Sequence, residues 1–254
     1  MPRTLRSARK HYRLSALIAR RAAREARKVR GQGGAAVATV VAAHQITQAQ
    51  ASELAVQEML AEQEIESLAE AFLNIAAFAS DPIVVARSVD AVETDTEFDR
   101  LVASIVQDAA RAAESVSIAV RPDIYHVRYV NPPCCARCAI LAGRVYRWSE
   151  GFERHPNCDC SMIPTTVAGT LRQDPDELVA TGQVRGLSKA DLQALADGAD
   201  LGKVINVRRS QAGLSDATGA IVRGGRPTPA GIYRLASDRP QAVDLLRRYG
   251  YITT

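Results

Sequence analysis

Asn131-Pro132-Pro133-Cys134-Cys135-Ala136-Arg137-Cys138, then sixteen residues, then His155-Pro156-Asn157-Cys158-Asp159-Cys160: the reading of this stretch decides how the chain divides. It holds all five cysteines of the 254 residues. An odd set crowded into so short a span argues against a disulfide framework and for metal ligation or reduced thiols. C-x2-C is the turn that puts two thiolates on one metal, and the second group offers His155, Cys158 and Cys160 at short spacing. Zinc takes four such ligands in a tetrahedron, so six candidates compete for four places. The expected set is Cys135, Cys138, His155 and Cys160, with Cys158 the main competitor. Cys134 would give the less usual C-x3-C spacing. With no open coordination position and no H-E-x-x-H, the expected zinc is structural. The alternative is a group of buried cysteines packed as small apolar side chains.

Outward from this knuckle the chain changes character. Ile124 to Val130, Arg144 to Trp148 and Ser161 to Val167 are rich in β-formers and read as three short strands with the cysteines in their turns. Upstream, alanine is abundant and aromatics make up only 5% of the chain, which favours helix. A helix is predicted over residues 4–30, ended by Gly31, Gly33 and Gly34. A second is predicted over about 36–75, with a possible break at 64–67, on the spacing of Ile46, Leu54, Met59, Leu60, Leu68 and Phe72. A third covers about 82–92. A fourth begins at Thr94, whose pairing with Glu97 is a capping-box pattern, and runs to about Val120. Downstream, Ser188 and Asp191 cap a helix to Ala196, Thr228-Pro229 starts another through Leu235, and Pro240 a third that Gly250 ends. Residues 211–227 read as a loop. The expectation is an α+β protein: a helical N-terminal half (1–120), a small zinc-knuckle β-element (121–168) and a short-helix C-terminal part (169–254).

Charge is uneven. Residues 1–30 hold eleven Lys/Arg against one acid, Glu25, a net +10, while the whole chain carries +4 and the remainder therefore −6. On a helix, Arg6, Arg9, Lys10, Arg13, Arg20, Arg21, Arg24, Arg27 and Lys28 would crowd one side of the arm. Such a surface can neutralise phosphates of double-stranded DNA, or dock on an acidic protein. With only Tyr12 interleaved, stacking on single strands is not expected. The longest uncharged apolar stretch, residues 33–43, is far short of the about 20 residues a bilayer span needs, so no membrane partner is expected. No secretory signal is read. An Arg-rich, acid-poor start is also how a mitochondrial presequence reads.

The run from Asn131 to Gly143, followed by Arg154 to Cys160 and Pro164, resembles the C-terminal signature of MuF-like head morphogenesis proteins of tailed bacteriophages, in the form found in phages of actinobacteria. The signature is a C-x2-C, a short apolar stretch ending in Gly, then H-P-x-C-x-C and a proline. The likeness covers about residues 123–166. It implies a minor capsid protein of the virion, in the head interior or at the portal vertex, and in host cytoplasm during assembly. Its partners would be portal and major capsid or scaffold proteins, with a role in assembly, packaging or DNA ejection. Related genes are often labelled capsid maturation protease. For that chemistry the sequence offers Ser149 and Ser161 but no G-x-S-x-G elbow, so no catalytic residue is assigned. A basic DNA-binding module is the third reading.

Overall fold

Residues 5–147, 149–150, 160–167, 169, 171, 173–207 and 227–252 are described by the structure, a computed structural model. The chain has the α+β class expected from its sequence. It divides into two units, residues 1–129 with 143–172, and residues 130–142 with 173–254.

Four helices build the first unit: α1 (Arg6–Val29), α2 (Gly34–Glu62), α3 (Pro82–Asp90) and α4 (Asp95–Ala119). Their shared core joins Ile18, Ala22, Ala23 and Ala26 of α1 to Val37, Ala38 and Val41 of α2, Val85 and Val89 of α3, and Phe98, Val102 and Val106 of α4. Alanines on α1 bring the helix axes close, and valines with one Phe fill the space. Gly34 completes the fit. A β-carbon there would meet the Asp90 carboxylate at 2.6 Å and the Ala86 carbonyl oxygen at 2.8 Å. Thr94 caps α4 as expected, accepting from the Glu97 N–H at 3.2 Å and donating its hydroxyl to the Glu97 carboxylate at 2.8 Å.

The second helix departs from expectation. It ends for good at Glu62, at the break expected near 64–67, and does not run on to residue 75; the end is a Schellman motif in which Glu64 takes φ +57°, its N–H reaches Ala61 O at 3.0 Å, and Ile65 N–H reaches Leu60 O at 3.0 Å. The expected apolar stripe fails with it, for Leu54, Leu68 and Phe72 are exposed. The buried stripe is Val37, Val41, Gln45, Gln48, Ser52, Ala55 and Met59, which keeps steps of three and four but passes through polar side chains. Gln45 is satisfied by Ser80, whose hydroxyl accepts at 2.7 Å and whose N–H donates at 3.0 Å.

The three expected strands form, slightly shorter, as one antiparallel sheet: β1 (Tyr125–Tyr129) lies between β3 (Val145–Tyr146) and β4 (Ser161–Thr165). Val127 is opposite Ile163 and also opposite Val145. One side of this sheet, through Tyr129 and Ile163, packs on Leu5, Ala8, Ala55 and Met59 at the α1 start and α2 end. His126 stacks on Tyr146, centroids 5.4 Å apart.

The second unit is made of short pieces: β2 (Cys134–Cys135), α5 (Ala136–Ala139), α6 (Pro175–Ala180), β5 (Val184–Arg185), α7 (Lys189–Ala196), α8 (Leu201–Asn206), α9 (Pro229–Leu235) and α10 (Arg239–Arg248). Its core is Ala194, Ala199, Val204, Val207, Ile232, Leu246 and Tyr251. The Ser188–Asp191 capping box, the Thr228 cap and the Gly250 terminus are where the sequence puts them. Helices α6 and α8 and the parallel pairing of β2 with β5 were not legible. The Gly/Ser/Arg-rich stretch expected as a loop lies, but for Pro227, outside the described residues. Buried Gln173 takes the Val130 N–H at 2.7 Å and donates to its carbonyl at 2.9 Å, tying the two chain segments of this unit together.

Candidate functional site

Two of the expected zinc ligands come together in the second unit. Strand β2 ends at Cys135, and the one-turn α5 starts at once. Cys135 is its N-cap, and its Sγ accepts the Cys138 N–H at 3.4 Å. A backbone N–H donated to a sulfur is the sort of outer contact that orients a metal ligand. Cys138 is buried and Cys135 half-buried. Cys134 is buried too, but it belongs to the strand, where its N–H pairs with Gln183 O at 2.9 Å. Successive strand residues point to opposite faces, so the doubled cysteine is split between two directions. The donor type and turn geometry of Cys135 and Cys138 fit half of a zinc site.

Cys160, at the entry to β4, is buried in the first unit. His155 and Cys158 lie outside the described residues, as does Trp148. Among the described residues no three or more His, Cys, Asp or Glu side chains form a metal-holding group.

Cys160 lines a cavity of about 60 Å³ between α1 and α4, with Ser161 beside it and Tyr12, Ser15, Gln107 and Arg111 around the wall. Inside it His11 Nε2 and Glu114 Oε1 meet at 2.7 Å, with side chains only 4% and 5% exposed. The other polar atoms of this pair, His11 Nδ1 and Glu114 Oε2, have no hydrogen-bond partner among the described residues. His11 lies on α1. Its partner is 103 residues away, and nothing local announces it.

All nine cations expected to line the α1 arm are exposed, but they are not equivalent. Lys10 pairs with Glu58 at 2.7 Å, Arg21 with Glu25 at 2.7 Å, and Arg27 with Asp99. Arg6 sits over Glu62, which accepts its backbone N–H at 2.8 Å. Burial pushes the Glu62 carboxyl up, but the Ser7 and Arg6 hydrogen bonds outweigh it and leave it below its usual value. Hydrogen bonds from Arg21 first, then His44, hold the Glu25 carboxyl down at about 2. The same contact raises Arg21. Among the described residues, that leaves Arg9, Arg13, Arg20, Arg24 and Lys28 with no carboxylate partner.

No helix among the described residues is long and apolar enough to cross a membrane. No protein-family model, curated protein or solved structure matches this chain.

Proposed function

We propose that this chain is a minor capsid protein of a tailed bacteriophage, of the MuF-like head morphogenesis type, acting at the portal or inner head in assembly, packaging or ejection. The observation that carries the reading is the signature from Asn131 to Cys160. Its support from geometry is limited to two features. Cys135 caps the turn that brings it to Cys138, and the short strands β1 and β4 flank the motif with β3 inside it. The zinc is structural, with ligands drawn from Cys135, Cys138, His155, Cys158 and Cys160. It would hold together a segment whose own elements are two to five residues long and could not persist alone. The partners are portal and major capsid or scaffold proteins, and the site is the virion head, reached from the host cytoplasm.

A second reading, a capsid maturation protease, draws on one observation: Ser161 and Cys160 line the same cavity as the His11–Glu114 pair. A carboxylate-bound imidazole beside a hydroxyl or thiol is the raw material of nucleophilic catalysis. The cavity of about 60 Å³ is far below the roughly 300 Å³ at which ligand pockets begin, so this reading stands second.

The test is quantitative intact-mass proteomics on purified particles of the source phage, with zinc determined on protein prepared without chelator. A few full-length copies per mature head and about one zinc per chain are expected. Presence only in precursor heads would overturn the virion reading in favour of an assembly factor or protease. Normal processing of the capsid protein with Ser161→Ala would then remove the protease.

A further inference from the structure

We propose that Arg9, Arg13, Arg20, Arg24 and Lys28 form a single row on α1 that binds the phosphate backbone of double-stranded nucleic acid without reading its sequence. This names the partner of a helix face that the head-protein reading leaves open between DNA and protein, and it stands on a separate measurement.

The row is a matter of helix geometry. Steps of four, seven, four and four residues keep these side chains within an arc of about 100°, along a face about 28 Å long. It is also a matter of selection. Glu58, Glu25 and Asp99 neutralise Lys10, Arg21 and Arg27, and Glu62 sits beside Arg6. Arg6, Lys10 and Arg27 share the arc and Arg21 lies just beyond it, so what sets the five apart is that none has a carboxylate partner among the described residues.

Holding such a row opposes the helix itself. Arg9 and Arg13, Arg20 and Arg24, and Arg24 and Lys28 are like charges at i,i+4, which repel. The positive end of the helix dipole is already met by the Glu62 carboxylate, which accepts the Arg6 and Ser7 N–H groups at 2.8 Å. An anionic partner relieves the repulsion along the row. The helix is meanwhile no floppy tail, because Ala19, Ala22, Ala23 and Ala26 on its other side are buried in the core. The backbone that carries its cations is therefore ordered before any partner arrives, and binding has only the side chains left to order.

The chemistry of the row favours duplex phosphates over the other polyanions. A protein interface is anchored by buried aromatic or apolar side chains, and this row offers Leu17 alone, 51% exposed. Single strands are gripped by stacking on aromatics, and the nearest, Tyr12, is half-buried beside the cavity wall. Cations spaced along one face, with nothing to read a base edge, match backbone contact.

The test is a fluorescence-anisotropy titration of the full chain on two unrelated duplexes across about 50 to 200 mM salt. Five phosphate contacts give a slope of log K against log salt of about −4.5, which is a loss of roughly 500-fold over that range, equal for both sequences. Replacing all five with Gln abolishes the salt-dependent binding. Changing Lys10, Arg21 and Arg27 to Gln leaves the slope within about one unit of wild type. Circular dichroism checks that the quintuple variant keeps its helices; if it does not, Arg20→Gln and Lys28→Gln singly should each lower the slope by about one. A flat salt response, or equal losses in the triple and quintuple variants, overturns the proposal. So does an acidic polypeptide that binds more tightly than the duplex. None of these outcomes bears on copy number in the particle, so this inference and the head-protein reading fail separately.

Discussion

The two units hold their helices by different means. In the first, α1 and α2 run 24 and 29 residues and their N-cap residues, Leu5 and Gly33, supply no side-chain cap, Glu62 from α2 taking the first N–H groups of α1 instead, while α3 and α4 are capped by Asp81 and Thr94. In the second, five helices of six to ten residues each begin with a capping side chain, from Asp174, Ser188, Asp200, Thr228 and Asp238. Three of them end in a Schellman turn on a left-handed glycine, Gly182, Gly198 and Gly250. The lesson is one of length. Each helix must offset the same fixed end effects and nucleation, and a long amphipathic face can do so by burial even where its N-cap residue adds nothing, as in α1 and α2, whereas every described short helix of six to ten residues, α3 included, has its first N–H groups capped locally. The first unit should therefore break at its interior and the second at its helix ends.

The largest expected effect is at the buried pair of the first unit. His11→Ala leaves the Glu114 carboxylate buried without its partner, a loss of about 3–5 kcal/mol, and His11→Ala with Glu114→Leu should recover part of it. Chemical denaturation of the three proteins measures this. No recovery in the double variant would mean that the imidazole matters as packing and not as a polar partner. Phe98→Ala, at a side chain with no exposed surface, should lose about 3–5 kcal/mol by the cavity it leaves. Next is Gly34→Ala, where the added methyl has backbone on one side and Asp90 on the other. We expect a loss of about 1–3 kcal/mol from overpacking, and an unchanged melting temperature would show that α3 yields easily.

In the second unit, Ser188→Ala removes one half of a capping box and should lose about 1 kcal/mol, read as amide-exchange protection lost at α7 while the first-unit core keeps its own. Equal loosening of both units would dissolve the contrast between them. The smallest effect is electrostatic. Because Glu25 is held at about 2 in the folded chain, against about 4.3 unfolded, its contribution is fully present above the unfolded value and disappears as pH falls through 2. The melting-temperature gap between wild type and Glu25→Gln should therefore be constant at neutral pH and close between about pH 4 and 2. A gap that persists at pH 2 would place the effect in packing.

The sequence by itself determined whatever acts within a few residues. The caps at Thr94, Ser188 and Thr228, the stop at Gly250, the three β-rich runs and the Cys135–Cys138 turn were all legible, because in each the partners lie within about one helical turn or the signal is the residue's own backbone preference. The exposure of the nine basic side chains of α1 belongs here too, since charge and period suffice for it. Tertiary structure alone decided the rest. Hydrophobicity could not find a buried stripe on α2 that runs through Gln45, Gln48 and Ser52, and periodicity, though it marked a break at 64–67, wrongly carried the helix on to residue 75. Nor could it sort the cations of α1, because the carboxylate that meets Lys10 is 48 residues away and the one that meets Arg27 is 72 away. His11 and Glu114 are 103 apart. The physical reason is the same in each case: a helix face is chosen, and a charge neutralised, by what the fold brings against it from a distant part of the chain.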